Sequence, residues 1–362
     1  MSVHATIRVT SATKTEVEEF ARFSSSQSLP QRVCDVEHIE WKHLRCPLGA
    51  STAIDLVENN EVRGRLWVTF RHWRLGNQIV VMGHPQDLLV DQQHRLLKDI
   101  VRLIEEAFSN SLDDSGIMYH GSNPNSEGLY RRIFRSKPIL NLRASVVPLS
   151  PTLLIYRFLS KKRGDFNSIL DLGYRRFLRV LNSMLNRKTI LKNFETINDL
   201  EDVFIKFEEC EPCSAVRSRE YFEWRFNRDK SSPYVVKLIC VNNQTVGYTV
   251  WSDTSAFGFR ARVLIDIVWL EKRTWFNRLR FCLSIATHSN NDVDLIVFIS
   301  NHNNSTLRKL SSFPMIVIPR SMMPQAIPIF LRFEERKIGK SSSIIEDYFG
   351  RCYFTMSDLD FF

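Results

Sequence analysis

His38-Ile-Glu-Trp41-Lys-His-Leu-Arg45 returns later in the chain in altered form, as Tyr221-Phe-Glu-Trp224-Arg-Phe-Asn-Arg228. The two stretches share the order glutamate, tryptophan, basic residue, and the second tryptophan follows the first by 183 positions. Each stretch is predicted to lie on a helix. The recurrence suggests that the chain holds two copies of one structural unit.

The same offset relates a second set of motifs. It carries Asn59-Asn60 onto Asn242-Asn243, and Gly64 onto Gly247. Asparagine tolerates left-handed backbone conformation, so each asparagine pair predicts the turn of a β-hairpin. Separate motifs that keep one offset favour a domain duplication, since the repeats of a solenoid are far shorter than half of this chain.

Farther along the chain the offset becomes smaller. Asp87 corresponds to Asp266 at 179 positions, and Ser122-Asn-Pro-Asn125 corresponds to Ser300-Asn-His-Asn303 at 178. Losses of four or five residues are typical of loops that shorten between retained elements. The repeat therefore extends over most of each half.

The hydrophobic pattern predicts a hairpin, then strand, helix, strand, helix and strand. In the first copy the predicted elements are strands at 53–58 and 66–70, a long strand ending near Val90, a helix at 96–107, a strand at 117–122, a helix bearing Tyr130 and a strand at 140–147. This order predicts an α/β (α+β) fold of two tandem mixed-sheet domains rather than a doubly wound parallel sheet.

The positive charge of the chain is concentrated between the two copies. Lys and Arg number 49 against 40 Asp and Glu, and nine basic residues against two acidic ones fall within 156–188. Apolar residues at helical spacing in this segment predict an amphipathic helix. We therefore predict a domain at 1–150, a basic helical connector at 151–190 and a second domain at 191–362. The helix is open to three interpretations: an inter-domain helix, a helix resting on an anionic membrane, or an RNA contact.

Composition excludes several classes of protein. A chain of 362 residues that is 44% apolar is neither disordered nor a small disulfide scaffold. It shows no apolar window long enough for a membrane span and no signal-peptide pattern, so we expect a cytoplasmic protein, with peripheral contact at the inner membrane face through 156–188 as an open alternative. Seven scattered cysteines, with one isolated Cys210-Glu-Pro-Cys213, predict no metal site, because zinc needs a second pair of ligands.

Taken in order, these elements resemble the GNAT acyltransferase family. Individual motifs resemble a bacterial branch of tandem-GNAT proteins, some encoded with polysaccharide genes, and more distantly the Fem-type transferases. The residues that carry the resemblance are Glu40-Trp41-Lys42 followed by Pro47-Leu48-Gly49, Asp87-Leu-Leu-Val90 running into Arg95, Asn123-Pro124-Asn125 with Tyr130, Glu223-Trp224-Arg225, and the stretch Tyr353-Phe-Thr-Met-Ser-Asp-Leu-Asp360. The resemblance covers most of the chain outside 150–190.

The resemblance implies transfer of an acyl group from acetyl-CoA or another acyl-CoA to an amine, such as an amino sugar in surface-polysaccharide synthesis. It implies that Tyr130 protonates the leaving thiolate and that Asp87 acts as a base through water. The backbone of Leu89 and Val90 would hold the thioester and pantetheine. The pyrophosphate would sit at the following helix N-terminus, near Arg95 and Lys98, and Asn125 would touch the cofactor. No metal is implied.

One departure from the family pattern leaves alternatives open. The loop Arg95-Leu-Leu-Lys98-Asp99-Ile100 has neither of the glycines that let phosphates approach the backbone. The chain is therefore either an N-acyltransferase, a Fem-type enzyme that uses aminoacyl-tRNA, or a catalytically dead scaffold that binds a partner. An open gap between the strands near Val90 and 117–122 would indicate a donor site, and a fully hydrogen-bonded sheet would not. Acyl donor, acceptor and oligomeric state are not determined by the sequence.

Overall fold

The hairpins predicted from the asparagine pairs are present in a computed structural model of the chain. All four asparagines have left-handed backbone, with φ of 53° and 63° at Asn59 and Asn60 and of 50° and 66° at Asn242 and Asn243. The structure describes residues 5–27, 29, 31–122, 124–150, 169–185, 191–226, 233–256, 258–271, 274–288, 293–312, 314–319, 327–338 and 342–359.

The elements predicted for the first copy are present, together with others that the sequence analysis did not predict. The helices are α1 (Lys14–Ser26), α2 (Gln31–Cys34), α3 (Val36–His43), α4 (Leu97–Ser115), α5 (Pro124–Arg132), α6 (Ile169–Leu185), α7 (Glu201–Cys210), α8 (Arg219–Phe226), α9 (Trp275–Ala286), α10 (Ser305–Leu310), α11 (Glu335–Ile338) and α12 (Ser342–Gly350). The strands are β1 (Thr6–Ser11), β2 (Thr52–Glu58), β3 (Glu61–Leu75), β4 (Gln78–Val90), β5 (Ile117–Gly121), β6 (Pro138–Pro148), β7 (Leu191–Asn193), β8 (Cys213–Ala215), β9 (Tyr234–Val241), β10 (Gln244–Ala256), β11 (Phe259–Trp269), β12 (Leu295–Ser300), β13 (Ile316–Val317) and β14 (Ile327–Phe333). Single turns of 3₁₀-helix lie at Gln92–His94, Ile197–Leu200 and Met356–Asp358. In the described part of the chain no helix is long and apolar enough to span a membrane.

The chain divides into two units, each built on a mixed sheet. Unit 1 comprises Met1–Leu140, Cys213–Val216 and Pro328–Phe349. Its strands follow the order β1-β2-β3-β4-β5-β14, with β8 paired to the end of β3. The β4–β5 pair is parallel, and the other pairs are antiparallel.

Two apolar layers cover the sheet of unit 1. On one face α4 and α5 pack against alternate residues of the strands, and this cluster includes Ile54, Leu66, Val90, Leu103, Met118, Tyr130 and Phe330. On the other face α1 and α3 pack against a cluster that includes Val17, Phe20, Ile39, Ala53, Trp67 and Leu89. The period-two alternation of the strands assigns their side chains to the two layers.

Unit 2 comprises Asn141–Pro212, Arg217–Ile327 and Gly350–Phe362. Its strands follow the order β6-β12-β11-β10-β9-β7, with β13 paired to β6, and β11–β12 is the parallel pair. A large apolar cluster centred on Tyr248, Trp251, Ile265, Trp269 and Phe298 forms its core.

Corresponding elements of the two units share details beyond strand order. In each unit a β-bulge directly precedes the repeated glycine, at Arg63 before Gly64 and at Val246 before Gly247. In each, a glutamate-tryptophan helix, a hairpin, a long strand, a helix and a parallel strand follow in that order. The predicted mixed α/β architecture of two tandem domains is therefore confirmed.

The predicted last strand of the first copy has an unexpected partner. Most of this strand, β6, belongs to unit 2, where it pairs antiparallel with β12. Strand exchange of this kind is not encoded in local periodicity, because it joins residues far apart in sequence. The boundaries at 150 and 190 stay a prediction, and 151–168 and 186–190 lie outside the described residues.

Candidate functional site

The two inner parallel strands of unit 1, β4 and β5, are paired at a single position. Gly83 of β4 lies opposite Met118 of β5, and β4 continues beyond it to Val90. Among the described residues no other strand pairs with this edge of β4 after Gly83. Backbone N–H and C=O groups need partners, so an unpaired edge inside a sheet can bind an extended ligand.

A β-bulge interrupts β4 just before its end. Asp87 and Leu88 together stand across from one residue of β3, because the pairing shifts between Arg65 and Trp67. Asp87 has a φ of 54°, a left-handed conformation that aspartate adopts more readily than most residues. At the bulge, 37% of Leu88 is exposed. The Asp87 carboxylate turns toward α3.

The Asp87 carboxylate lies in a small polar cluster at the C-terminal end of α3. Lys42 Nζ is 2.7 Å and His43 Nε2 3.1 Å from Asp87 Oδ2. His43 Nδ1 lies 3.1 Å from Ser51 Oγ, and the imidazole stacks on Trp67 at 4.3 Å between ring centroids. Burial alone would raise the pKa of Asp87, but Lys42 and His43 outweigh it and lower this pKa well below its usual range. The carboxylate is therefore ionised at neutral pH.

Tyr130 lies on the other face of the sheet, on α5. Its side chain belongs to the same apolar cluster as Val90, and its ring centroid is 3.9 Å from that of His120, the next to last residue of β5. Burial raises the pKa of Tyr130 to about 12. Burial, with a smaller effect of His84, lowers the pKa of His120 to about 3. A protonated phenol and a neutral imidazole thus lie together beside the unpaired edge.

The Nδ1 atom of His120 is a buried polar atom with no hydrogen-bond partner among the described residues. An unsatisfied buried nitrogen costs about 1–3 kcal/mol. The imidazole packs against the rings of Tyr130 and Phe330.

The loop after β4 leads into α4 and carries two exposed cations. Arg95 Nε donates to the Val90 carbonyl at 3.1 Å, which ties the loop to the strand end. Lys98 lies exposed in the first turn of α4 and has no ion-pair partner among the described residues. Asp99 is buried and lies 3.9 Å from Arg102, and Ile100 packs against the core. The exposed side of this helix N-terminus is therefore positively charged.

The remaining predicted site residues are placed as follows. Leu89 points its side chain into the layer of α1 and α3 and Val90 into that of α4, so each can offer only backbone to a ligand. Asn125 lies in the first turn of α5, and its side chain is outside the described residues. An open cavity of about 360 Å³ borders the loop after β4 and is lined by Ser26, Gln27, Asp91, Gln92 and Gln93.

The corresponding place in unit 2 is filled by protein. Strands β11 and β12 pair at four successive positions, from Ala261 opposite Leu295 to Leu264 opposite Phe298. Beyond them the segment Tyr353–Thr355 bonds to both strands. The Tyr353 hydroxyl donates to the Ile267 carbonyl of β11, and Thr355 forms a bridge with Ser300 of β12. Unit 2 therefore lacks the open edge of unit 1.

A buried charge network holds this segment in unit 2. Asp266, the counterpart of Asp87, accepts hydrogen bonds from Tyr248 at 2.8 Å, Thr355 at 2.9 Å and Arg217 at 3.1 Å. Arg217 also lies 3.2 Å from Asp358. Burial alone would lower the pKa of Arg217, but Asp266 and Asp358 raise it well above its usual range. These fixed charges bind the terminal segment rather than a ligand.

Several solved structures are similar to this chain in fold. A GCN5-related N-acetyltransferase from Anabaena variabilis ATCC 29413 is 14% identical, with a TM-score of 0.58, and the match spans 91% of this chain and 73% of the other. A probable N-acyltransferase from Enterococcus faecalis V583 is 12% identical, with a TM-score of 0.56, over 91% and 72%. N-myristoyltransferase from Saccharomyces cerevisiae with bound myristoyl-CoA is 12% identical, with a TM-score of 0.55, over 91% and 80%.

The chain has the GNAT fold. No protein-family model and no curated protein matches the sequence, so the likeness is one of fold. Among the described residues no group of histidine, cysteine, aspartate and glutamate could hold a metal ion, and all seven cysteines are free thiols.

The structure brings together part of the predicted GNAT site. Arg95 touches Val90 directly, and Val90 and Tyr130 share one cluster, whereas Asp87 faces the opposite layer. Sequence reasoning missed Lys42 and His43 as partners of Asp87. A signal was available, because His43 departs from the repeat, whose second copy has Phe226 at this position.

Proposed function

We propose that the chain is an N-acyltransferase that transfers an acyl group from acyl-CoA to an amine, with the donor bound in unit 1. The observation that carries the proposal is the unpaired edge of β4 after Gly83, which ends at a positively charged helix N-terminus. An extended pantetheine can pair with such an edge. A pyrophosphate is stabilised by the free amides and dipole of a helix N-terminus.

The absence of glycines in the loop after β4 is compatible with this donor. Asp99 and Ile100, the residues that would repel or obstruct a phosphate, point inward. Arg95 and Lys98 remain exposed on the outside. In the proposal the side chains of these two residues bind the phosphates. In a glycine-containing loop, backbone amides would do so instead.

Tyr130 is proposed as the acid that protonates the leaving thiolate. Its raised pKa keeps the phenol protonated at working pH, and the neutral His120 beside it can orient the hydroxyl or a water without adding charge. The proton that the thiolate receives comes from the phenol, so this protonation does not require a metal ion.

Asp87 is proposed to act on the amine through water. Because Lys42 and His43 lower its pKa, it is a weak base but a permanent negative charge. It would therefore attract a protonated amine and stabilise the proton as it passes to water. The acceptor that we propose is an amino sugar, and the acyl group an acetyl; both rest on the family resemblance alone.

Binding of acyl-CoA tests the proposal. Isothermal titration of the protein with acetyl-CoA and with longer acyl-CoAs should give heat for at least one donor. Arg95→Glu should weaken that binding roughly tenfold or more, because it replaces a charge-assisted hydrogen-bond donor by a repelling charge. Lys192→Glu, the same charge change on an exposed strand of unit 2, is the control and should bind as the wild type does. Absence of heat with every donor would favour the scaffold interpretation.

A further inference from the structure

Helix α6 turns large apolar side chains toward solvent. The exposed fractions are 57% for Phe177, 57% for Val180 and 66% for Met184. The opposite side of the helix is fixed to unit 2, since Leu178 packs against its core and Asn182 Nδ2 donates to Thr287 Oγ1 at 2.8 Å. The exposed residues therefore belong to an anchored helix.

The exposed residues form two neighbouring strips along the helix. Phe177, Val180 and Met184 follow one another at spacings of three and four, so they lie on one apolar strip about 10 Å long. Arg176 and Arg179 follow the same spacing one residue earlier and are also exposed. The outer surface thus pairs an apolar strip with a cationic one.

Charge on this surface is of one sign. Residues 172–185 contain no aspartate or glutamate, and the wider segment 156–188 has nine basic and two acidic residues. One further arginine of α6, Arg175, is already held by Asp294 at 3.2 Å, on the packed side of the helix. Arg176 and Arg179 form no ion pair with any described residue.

We infer that the outer face of α6 is a docking surface for an anionic lipid bilayer. Phenylalanine, valine and methionine on one strip with arginines beside them is the arrangement of helices that lie in the membrane interface. The apolar strip would enter the boundary between headgroups and acyl chains, and Arg176 and Arg179 would meet lipid phosphates. A second copy of the chain is a poorer occupant, because pairing through this face would set arginines against arginines.

Vesicle sedimentation tests this inference with the full chain. Vesicles of phosphatidylcholine and phosphatidylglycerol should bind the protein, and vesicles of phosphatidylcholine alone should bind it far less. Combined Arg176→Ala and Arg179→Ala should weaken binding about 25-fold, since each basic residue contributes roughly fivefold. Phe177→Glu with Met184→Glu should abolish binding.

Matched changes on another exposed helix are the control. Ile205→Glu with Lys206→Ala on α7 lowers the net charge by two, as each double variant of α6 does, at an exposed apolar residue and an exposed lysine, and should leave vesicle binding unchanged. Circular dichroism should show all variants folded, because the altered residues are exposed. Equal binding to neutral vesicles, equal loss in the α7 control, or a dimer that Phe177→Glu dissociates without any vesicle binding would each overturn the inference. Its failure would leave the proposed acyl transfer untouched.

Discussion

Tyr130 combines a buried ring with a hydroxyl that has no hydrogen-bond partner among the described residues. Its ring packs against His120 and Phe330, and the pKa of about 12 follows from burial alone. A phenol with this pKa is protonated at neutral pH, so its hydroxyl can donate a hydrogen bond, and its proton, to the thiolate charge that develops beside it. Position and protonation state thus both suit a proton donor.

Tyr130→Phe should separate chemistry from binding. Removing only the hydroxyl should lower kcat by about a hundredfold and leave acyl-CoA affinity and the unfolding midpoint nearly unchanged. Thiol release from acyl-CoA in the presence of an amine measures this, with Tyr174→Phe as control. Because the Tyr130 pKa is raised, the wild-type rate should show no loss from phenol deprotonation until the pH nears 12. Unchanged kcat in Tyr130→Phe would exclude the phenol as the acid.

Asp87→Asn tests the polar cluster at the bulge. Asp87 forms an ion pair with Lys42, whose side chain is buried, and this pair should stabilise the fold by about 2 kcal/mol at pH 7. Because the folded-state pKa of Asp87 is lowered, this stabilisation is complete above the unfolded-state value near 4 and is lost as pH falls through the folded-state pKa. Urea unfolding should therefore show a stability gap between wild type and Asp87→Asn at pH 7 that narrows below about pH 4. A gap that does not vary with pH would contradict the ion pair.

At the scale of elements, the repeated glycine serves different packing in the two units. A Cβ on Gly247 would lie 1.9 Å from the Val268 carbonyl oxygen, a backbone atom. A Cβ on Gly64 would lie 3.2 Å from a methyl of Leu103, which can shift. The same residue is thus required in β10 and only preferred in β3.

Alanine at the two glycines should give unequal losses of stability. Gly247→Ala should cost about 3 kcal/mol or more, because strand β11 must move, and Gly64→Ala about 1 kcal/mol. Urea unfolding of the two variants side by side is the measurement, and each serves as control for the other. Equal costs would mean that β10 and β11 are not packed as closely as the structure shows.

The hairpins and the repeated helices could be predicted from short stretches of sequence. The asparagine pairs Asn59-Asn60 and Asn242-Asn243 predict their hairpins because few other residues accept two left-handed positions in succession. The glutamate of each repeated helix also pairs with a nearby arginine, Glu40 with Arg45 and Glu223 with Arg219. Signals of this kind act within a few residues and can be found in one sequence.

Pairings between distant residues could not be predicted in this way. Strand β8, at Cys213–Ala215, joins β3 of unit 1 from the second half of the chain, and nothing in its three residues specifies that partner. The unpaired edge of β4 is likewise a property of where β5 diverges. The sequence therefore offered candidate residues for the site, and the arrangement of the strands and the contacts of Asp87 with Lys42 and His43 required the structure.

For the molecule as a whole, the two units differ in what lies beside the parallel strands. In unit 1 the edge of β4 is open, and in unit 2 Tyr353–Thr355 bonds to both strands. The fixed network of Asp266 and Arg217 makes that segment part of the unit 2 core. The proposal therefore assigns the ligand to unit 1 and structural support to unit 2.

Asp266→Ala should destabilise the protein without touching the donor site. It would leave Arg217, Tyr248 and Thr355 short of a buried acceptor, at a cost of about 3 kcal/mol. Urea unfolding measures the loss, and Asp202→Ala, an exposed acid on α7, is the control. Acyl-CoA affinity should be retained under conditions where the variant is folded. A large loss of affinity in the folded variant would place the donor in unit 2.

The most direct test is a crystal structure of the protein with a non-hydrolysable acyl-CoA. We expect one donor per chain, with its pantetheine along β4 at Leu88–Val90, its pyrophosphate at Arg95 and Lys98, and its thioester sulfur near the Tyr130 hydroxyl. A donor bound beside β11 in unit 2, or an unoccupied β4 edge at saturating ligand, would contradict the assignment of unit 1 as the acyl-CoA site.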